Sequence, residues 1–474
     1  MSLDSQSRLL PRRFRLILAS FLQRPGLPFA DALTEESIQA AFDNEGVLFT
    51  ADDDIVYTPA IPLWAFLSQV LFKDEHRSCV AAVARVIVLL VALEREPCSS
   101  NTGAYCRARA KLSEAAIHRL AADVASRCEK QVQEEWLWRG RHVHLVDGTT
   151  VSMPDTPENQ KAYPQSSSQQ EGLGFPVARL VVLLSLASGM LGDMAMGPYT
   201  GKETGETALL RQLLGRFASG DILLADRYYC SYFMIALLME SGIDFVTRVH
   251  QRREVDFRRG RRLSKNDHLI EWPRPEKPEW MDQHTYDRMP LSIRIREIHV
   301  HVNHPGFRVE SLVVVTTLTD ADQYTPDDIA ELYGFRWLAE LDIRAIKITM
   351  GMDILRCKTP FMVHKEIWTC LLAYNLIRRT MLQSAQQAGQ TPRQLSFSTA
   401  MQVTAASWQV IVLSSDSLAA RLVEIELENL TQHLVGNRPG RVEPRAVKRR
   451  PKPHDLLTKP RNQARAELLK VGSS

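Results

Sequence analysis

Between Arg141 and Val249 short apolar runs alternate with longer amphipathic ones, and two of the short runs deliver an aspartate. His142 to Val151 (HVHLVDGTTV) reads as a strand ending on Asp147, with Gly148 immediately after and a long polar loop from Met153 to Gly174. Ala178 to Leu186 and Met190 to Met196 read as two more strands, and Glu203 to Phe217 as a helix that Thr200 or Thr204 could cap. Ile222 to Ala225 is a short buried strand that presents Asp226; a helix from Ser231 to Ser241 and a strand from Phe245 to Val249 follow. Strand, strand, strand, helix, strand, helix, strand specifies a mixed α/β sheet. Open sheets of this kind place their chemistry at strand ends.

A second constraint lies downstream, in ELYGFRWLAELDIRAIKITMGMDILR, Glu331 to Arg356. On one continuous α-helix Tyr333, Arg336, Glu340 and Lys347 project at about 0°, −60°, −20° and −40°, a single narrow stripe. Leu338, Leu341 and Ala345 form a separate apolar flank, and Asp342 points away from the stripe. Thr325 is placed to cap the helix, with Pro326 at its first position and Asp328 in its first turn. A carboxylate flanked by phosphate-binding cations suggests metal-assisted chemistry on a nucleic-acid backbone. Taken alone, the helix is equally well explained by an ordinary surface ion pair between Arg336 and Glu340.

Composition narrows the partners. The 474 residues carry a net charge of only +3, so DNA affinity has to come from local clusters rather than a global cationic field. Seven scattered cysteines without a CxxC fit a reducing cytoplasm and not a structural zinc site. The longest apolar run, Val86 to Leu93, is far short of a membrane span, and no cleavable leader is apparent, so a cytoplasmic location without a membrane partner is expected.

Around this centre, the first 135 residues are helical in pattern. Cys98 to Leu120 places Arg107, Arg109 and Lys111 near a helix start, which hints at a phosphate partner. Residues 250 to 312 interrupt the core with a β-rich, arginine-rich stretch, and Asn303-His304-Pro305-Gly306 supplies a turn before Phe307 to Leu318. Helices are expected near Met362 to Gln383 and Leu418 to Leu434. From Arg438 to Arg465 Lys, Arg and Pro dominate over Glu443 and Asp455, the pattern of a flexible basic arm. His299, His301 and His304 invite a metal reading, but strand alternation explains the first two, and packing explains Cys230 better than nucleophilic chemistry does.

Two strand-end aspartates and a helical glutamate, Asp147, Asp226 and Glu340, supply the hard oxygen ligands that suit Mg²⁺ or Mn²⁺. Two such ions about 4 Å apart can serve an in-line displacement at phosphorus.

With Asp147-Gly148-Thr149, Asp226-Arg227-Tyr228 and Tyr333-x2-Arg336-x3-Glu340-x6-Lys347 in order, the chain resembles the DDE transposases of the insertion-sequence-four type. The match covers roughly residues 140 to 385. The resemblance implies an α/β, ribonuclease-H-like catalytic core with an inserted β-rich subdomain, flanked by helical N- and C-terminal regions. The expected divisions are residues 1–135 (helical, DNA-end-binding), 136–249 (first part of the core) and 250–318 (insertion). Residues 319–385 would carry the catalytic helix and the end of the core, 386–437 a helical region, and 438–474 a flexible basic tail.

It further implies cut-and-paste recombination through a hairpin intermediate at the ends of an insertion sequence. Asp147, Asp226 and Glu340 would hold two Mg²⁺ or Mn²⁺ ions, Arg336 and Lys347 would neutralise phosphate, and Tyr333 would hydrogen-bond one. The partners implied are double-stranded DNA, both element ends and target, and a second copy of the chain assembled as a homodimer on DNA, in the bacterial cytosol at the nucleoid. An aromatic residue of the insertion, Trp272 or Trp280, would steady a flipped base. A catalytically inactive DNA-binding remnant or regulator, and a stand-alone metal-dependent nuclease, are the alternatives.

Overall fold

The computed structural model describes residue 33 and residues 35–46, 56–57, 60–72, 74–92, 96–301, 311–413, 416–436 and 456–471. Helices lead: α1 (Glu35–Asp43), α2 (Ala60–Leu71), α3 (Cys79–Ala92), α4 (Thr102–Lys111) and α5 (Glu114–Glu129). Asn101 and Ser113 cap α4 and α5, each accepting a backbone N–H of the first turn. Arg109 and Lys111 lie in the last turn of α4, not near its start, so they complement the helix dipole instead of opposing it. The Arg109 guanidinium lies 4.9 Å from the Phe66 ring and donates to Gln69 at 3.0 Å, so its charge is spent within the fold.

Strand β1 (Val143–Ser152) begins the sheet, followed by α6 (Pro157–Ala162), β2 (Val177–Ser185), β3 (Leu191–Pro198), α7 (Glu206–Leu213), β4 (Ile222–Ala225), α8 (Tyr232–Glu240) and β5 (Asp244–Arg248). The stretch expected to be inserted supplies β6 (Arg261–Ser264), β7 (Asp267–Pro273), α9 (Gln283–Arg288), β8 (Ser292–His301) and β9 (Ser311–Thr316). All nine strands join one sheet in the order β3-β2-β1-β4-β5-β9-β8-β7-β6, with β1, β4 and β5 parallel. The inserted strands thus extend the core sheet through the β5–β9 ladder. The turn expected at 303–306, with His304, lies outside the described residues.

Alternation splits the sheet into two packed faces. Leu145 and Leu224 belong to the core shared with the N-terminal helices, whereas Val146 and Leu223 belong to the core under α7 and α8. Trp272 is 2% exposed, donates to Glu297 at 3.0 Å and lies under Arg253, so as placed it is closed to a base. Trp280 is half-buried with the Arg211 guanidinium 3.8 Å from its ring centre.

The expected single helix at Glu331 to Arg356 is broken. Helix α10 (Pro326–Gly334) has the anticipated cap, with Thr325 and Asp328 forming a reciprocal capping box. Bonds of the i to i+3 kind through Phe335, Arg336 and Leu338 tighten the chain before α11 (Trp337–Arg344), and Ala345–Thr349 form a π-helical turn. Next, α12 (Pro360–Ala388) runs through the interior and stops at Gly389, which takes the left-handed conformation, φ 62°. Helices α13 (Phe397–Leu413) and α14 (Asp416–Thr431) complete the region. Within the tail expected to be flexible, Arg461–Val471 form helix α15; residues 437–455 lie outside the described set.

Candidate active site

The parallel pairing of β1 with β4 brings the two aspartates together. Leu145 is the register partner of Leu224, so two residues further along each strand Asp147 and Asp226 occupy matching positions on one face. Neighbouring strands lie about 4.8 Å apart, which sets the scale of their separation. Asp147 does not end its strand; β1 continues to Ser152 against β2, and what stops beside Asp147 is β4. Each carboxylate accepts the N–H of the residue after it, Gly148 to Asp147 at 2.8 Å and Arg227 to Asp226 at 2.7 Å.

Helix α11 packs across β1 and brings the glutamate to the same place. Arg336 pairs with Glu340 one turn on, and its Nη1 lies 3.8 Å from Asp147 Oδ2. The Glu340 side chain is 37% exposed and that of Arg336 11%, so the carboxylate opens to solvent above a half-enclosed guanidinium. Lys347 sits half-buried on the π turn, where desolvation lowers its pKa against the pull of Asp353. Tyr333 is 1% exposed, within the core beneath Arg336 rather than on an open stripe. The break between α10 and α11 is the reason: Tyr333 and Arg336 belong to different helical segments.

The sequence reading missed a further acid. Glu206, the first residue of α7, reaches toward Asp147 through the notch left by Gly148: a Cβ on that glycine would lie 2.4 Å from Glu206 Oε1. Tyr229, fully buried on the turn that Asp226 caps, lies within the electrostatic reach of Glu206, Asp147 and Asp226, and its hydroxyl faces Glu206 without a hydrogen bond of normal geometry. Burial raises the Glu206 pKa against the pull of Arg179. Desolvation likewise lifts Asp147 to about 6, opposed by Arg336 and the Gly148 N–H and reinforced by Glu206 and Glu340. An acid in the first turn of α7 was the only sequence signal for Glu206, and an acid there is an ordinary complement to the helix dipole.

The back of α11 is fixed by charge. Asp342 is buried with Arg378 of α12 and Arg393, the latter 2.6 Å away. Arg393 also donates to the carbonyl of Leu186 at 2.8 Å, and so ties the helix to the end of β2.

In donor chemistry the site fits hard divalent cations: oxygen ligands only, an excess of partly buried negative charge, and a buried tyrosine hydroxyl beside Glu206. Among the described residues no three carboxylate, imidazole or thiolate groups converge closely enough to ligate a metal as they stand. Arg336 instead supplies the positive charge between Asp147 and Glu340. No helix among the described residues is long and apolar enough to cross a membrane.

Comparison with known proteins places these features. Residues 138–376 match the family model described as "Transposase DDE domain", a span that contains Asp147, Asp226 and Glu340. The chain is 27% identical over 359 residues to the transposase InsG of insertion sequence element IS4 from Escherichia coli K12, covering 73% of this chain and 76% of that one. Among solved structures it is similar to the piggyBac transposase synaptic complex with hairpin DNA, at a TM-score of 0.39 and 10% identity, covering 91% of this chain and 86% of that one.

Proposed function

Since the chain belongs to the DDE transposases of the IS4 type, enzymes of DNA transposition that depend on divalent metal ions, we propose that it cuts and joins DNA at the ends of an insertion sequence. The observation that supports this reading is the parallel register that aligns Asp147 with Asp226, together with the Arg336 guanidinium set between Asp147 and Glu340 of the crossing helix. The core reads as ribonuclease-H-like: antiparallel β1 to β3 continue into parallel β4 and β5.

Asp147, Asp226 and Glu340 would hold two Mg²⁺ or Mn²⁺ ions, which supply Lewis acidity to the attacking and leaving oxygens. Arg336 holds Glu340 in the DNA-free chain and turns to the scissile phosphate when DNA arrives, releasing the carboxylate. Lys347, on the π turn, neutralises a neighbouring phosphate. Tyr333 meets a phosphate only when it is seated at the level of the carboxylates, because its side chain is buried. One site then serves nicking, hairpin formation on the opposite strand, hairpin opening and joining to target, with two copies of the chain assembled on paired ends.

The test is incubation of purified chain with labelled element ends, target DNA and Mg²⁺. Hairpins and insertion products are expected. Cleavage without joining would instead favour a nuclease, and end binding without cleavage an inactive regulator.

A further inference from the structure

We propose that Glu206 is a fourth carboxylate of the active centre, which with the Tyr229 hydroxyl holds a water ligand of the bound cations and raises the affinity of the site for them. The inference rests on the proposed two-metal reading of Asp147, Asp226 and Glu340.

Three observations carry it independently of that trio. Residue 148 has no side chain, and the volume a Cβ would fill is taken by the Glu206 carboxyl group, with its carbon 2.3 Å and an oxygen 2.4 Å from the Cβ position. Any side chain there would push Glu206 away from Asp147. Helix α7 begins at Glu206 itself, with Gly205 as its cap, so the backbone aims this one acid at the sheet while the apolar face of α7 anchors against β2 and β3. Tyr229 is 0% exposed and its hydroxyl faces the Glu206 carboxyl group without a hydrogen bond of normal geometry, an arrangement that is costly for a buried hydroxyl. A water shared between this hydroxyl and Glu206 would satisfy both groups. Ions such as Mg²⁺ keep several waters when bound, and those waters need acceptors. Glu206 is therefore a positioning residue, acting through water.

The experiment is Mn²⁺ binding to the DNA-free full-length protein by electron paramagnetic resonance and by calorimetry, for wild type, Glu206→Gln, Tyr229→Phe, Gly148→Ala and Asp147→Asn. Glu206→Gln is expected to weaken Mn²⁺ binding about tenfold, with circular dichroism unchanged. Gly148→Ala, which displaces the carboxylate without removing it, should weaken binding to a similar extent, and Tyr229→Phe by a smaller factor. Wild-type affinity in folded Glu206→Gln, alongside loss of binding in Asp147→Asn, would overturn the role of Glu206 and leave the metal site standing. Wild-type affinity in both variants would overturn the metal site and this inference together.

Discussion

Arg336 Nη1 lies 3.8 Å from Asp147 Oδ2, across the gap between α11 and the sheet, while the same guanidinium pairs with Glu340. An arginine thus balances two of the carboxylates proposed to hold cations. Arg336→Ala should lower the melting temperature of the metal-free protein at pH 8, because breaking such a partly buried pair costs on the order of 1–3 kcal/mol. It should also enlarge the stabilisation given by Mn²⁺, since no arginine competes for the acids. Thermal melts with and without Mn²⁺ measure both effects; an unchanged Mn²⁺ shift would exclude competition.

Stability should depend on pH through Asp147. Its carboxyl titrates at about 6 in the fold against the ordinary 3.8, so the folded chain binds the proton more tightly. Stability from this residue is therefore full below the ordinary value and falls as pH rises through 6. In metal-free protein Asp147→Asn should be more stable than wild type at pH 8 by about 3 kcal/mol, and the difference should shrink toward pH 4. Denaturant titrations at the two pH values check the sign.

Asp342 should matter for architecture rather than chemistry. Asp342→Ala leaves Arg378 buried without its carboxylate partner and frees α11 from Arg393, for an expected loss of about 3–5 kcal/mol by urea unfolding. Mn²⁺ affinity of the remaining folded protein should change little.

Helical and strand periods make much of this legible in the sequence. Patterning placed β1, β4 and β5, the cap at Thr325, and the orientation of Asp342 away from Glu340. The register that aligns Asp147 with Asp226 was beyond reach, because strand pairing is a long-range choice that local alternation does not encode. The broken helix was missed for a related reason: the residues from Phe335 to Thr349 are acceptable in an α-helix, and tertiary packing selects the tight turn and the π turn. Arg109 looked like a phosphate ligand until Phe66 and Gln69 claimed it. Glu206 was invisible because its partner in meaning is an absent side chain, at Gly148.

Lys347 should reveal itself through salt. If it contacts one DNA phosphate, Lys347→Ala reduces the slope of log affinity against log salt by about 0.9, so the loss is greatest at low salt. Fluorescence anisotropy with element-end DNA over a salt series measures it. An unchanged slope would assign Lys347 to the structure of the π turn instead.

The most direct measurement is strand joining by Asp147→Asn, Asp226→Asn and Glu340→Gln, each paired with a gel-shift assay of end binding. All three should bind element ends and fail both to nick and, when supplied with pre-cleaved ends, to join them to target, with activity down by at least about a hundredfold. Joining at wild-type rate by any one of them would contradict a single site built from these three carboxylates.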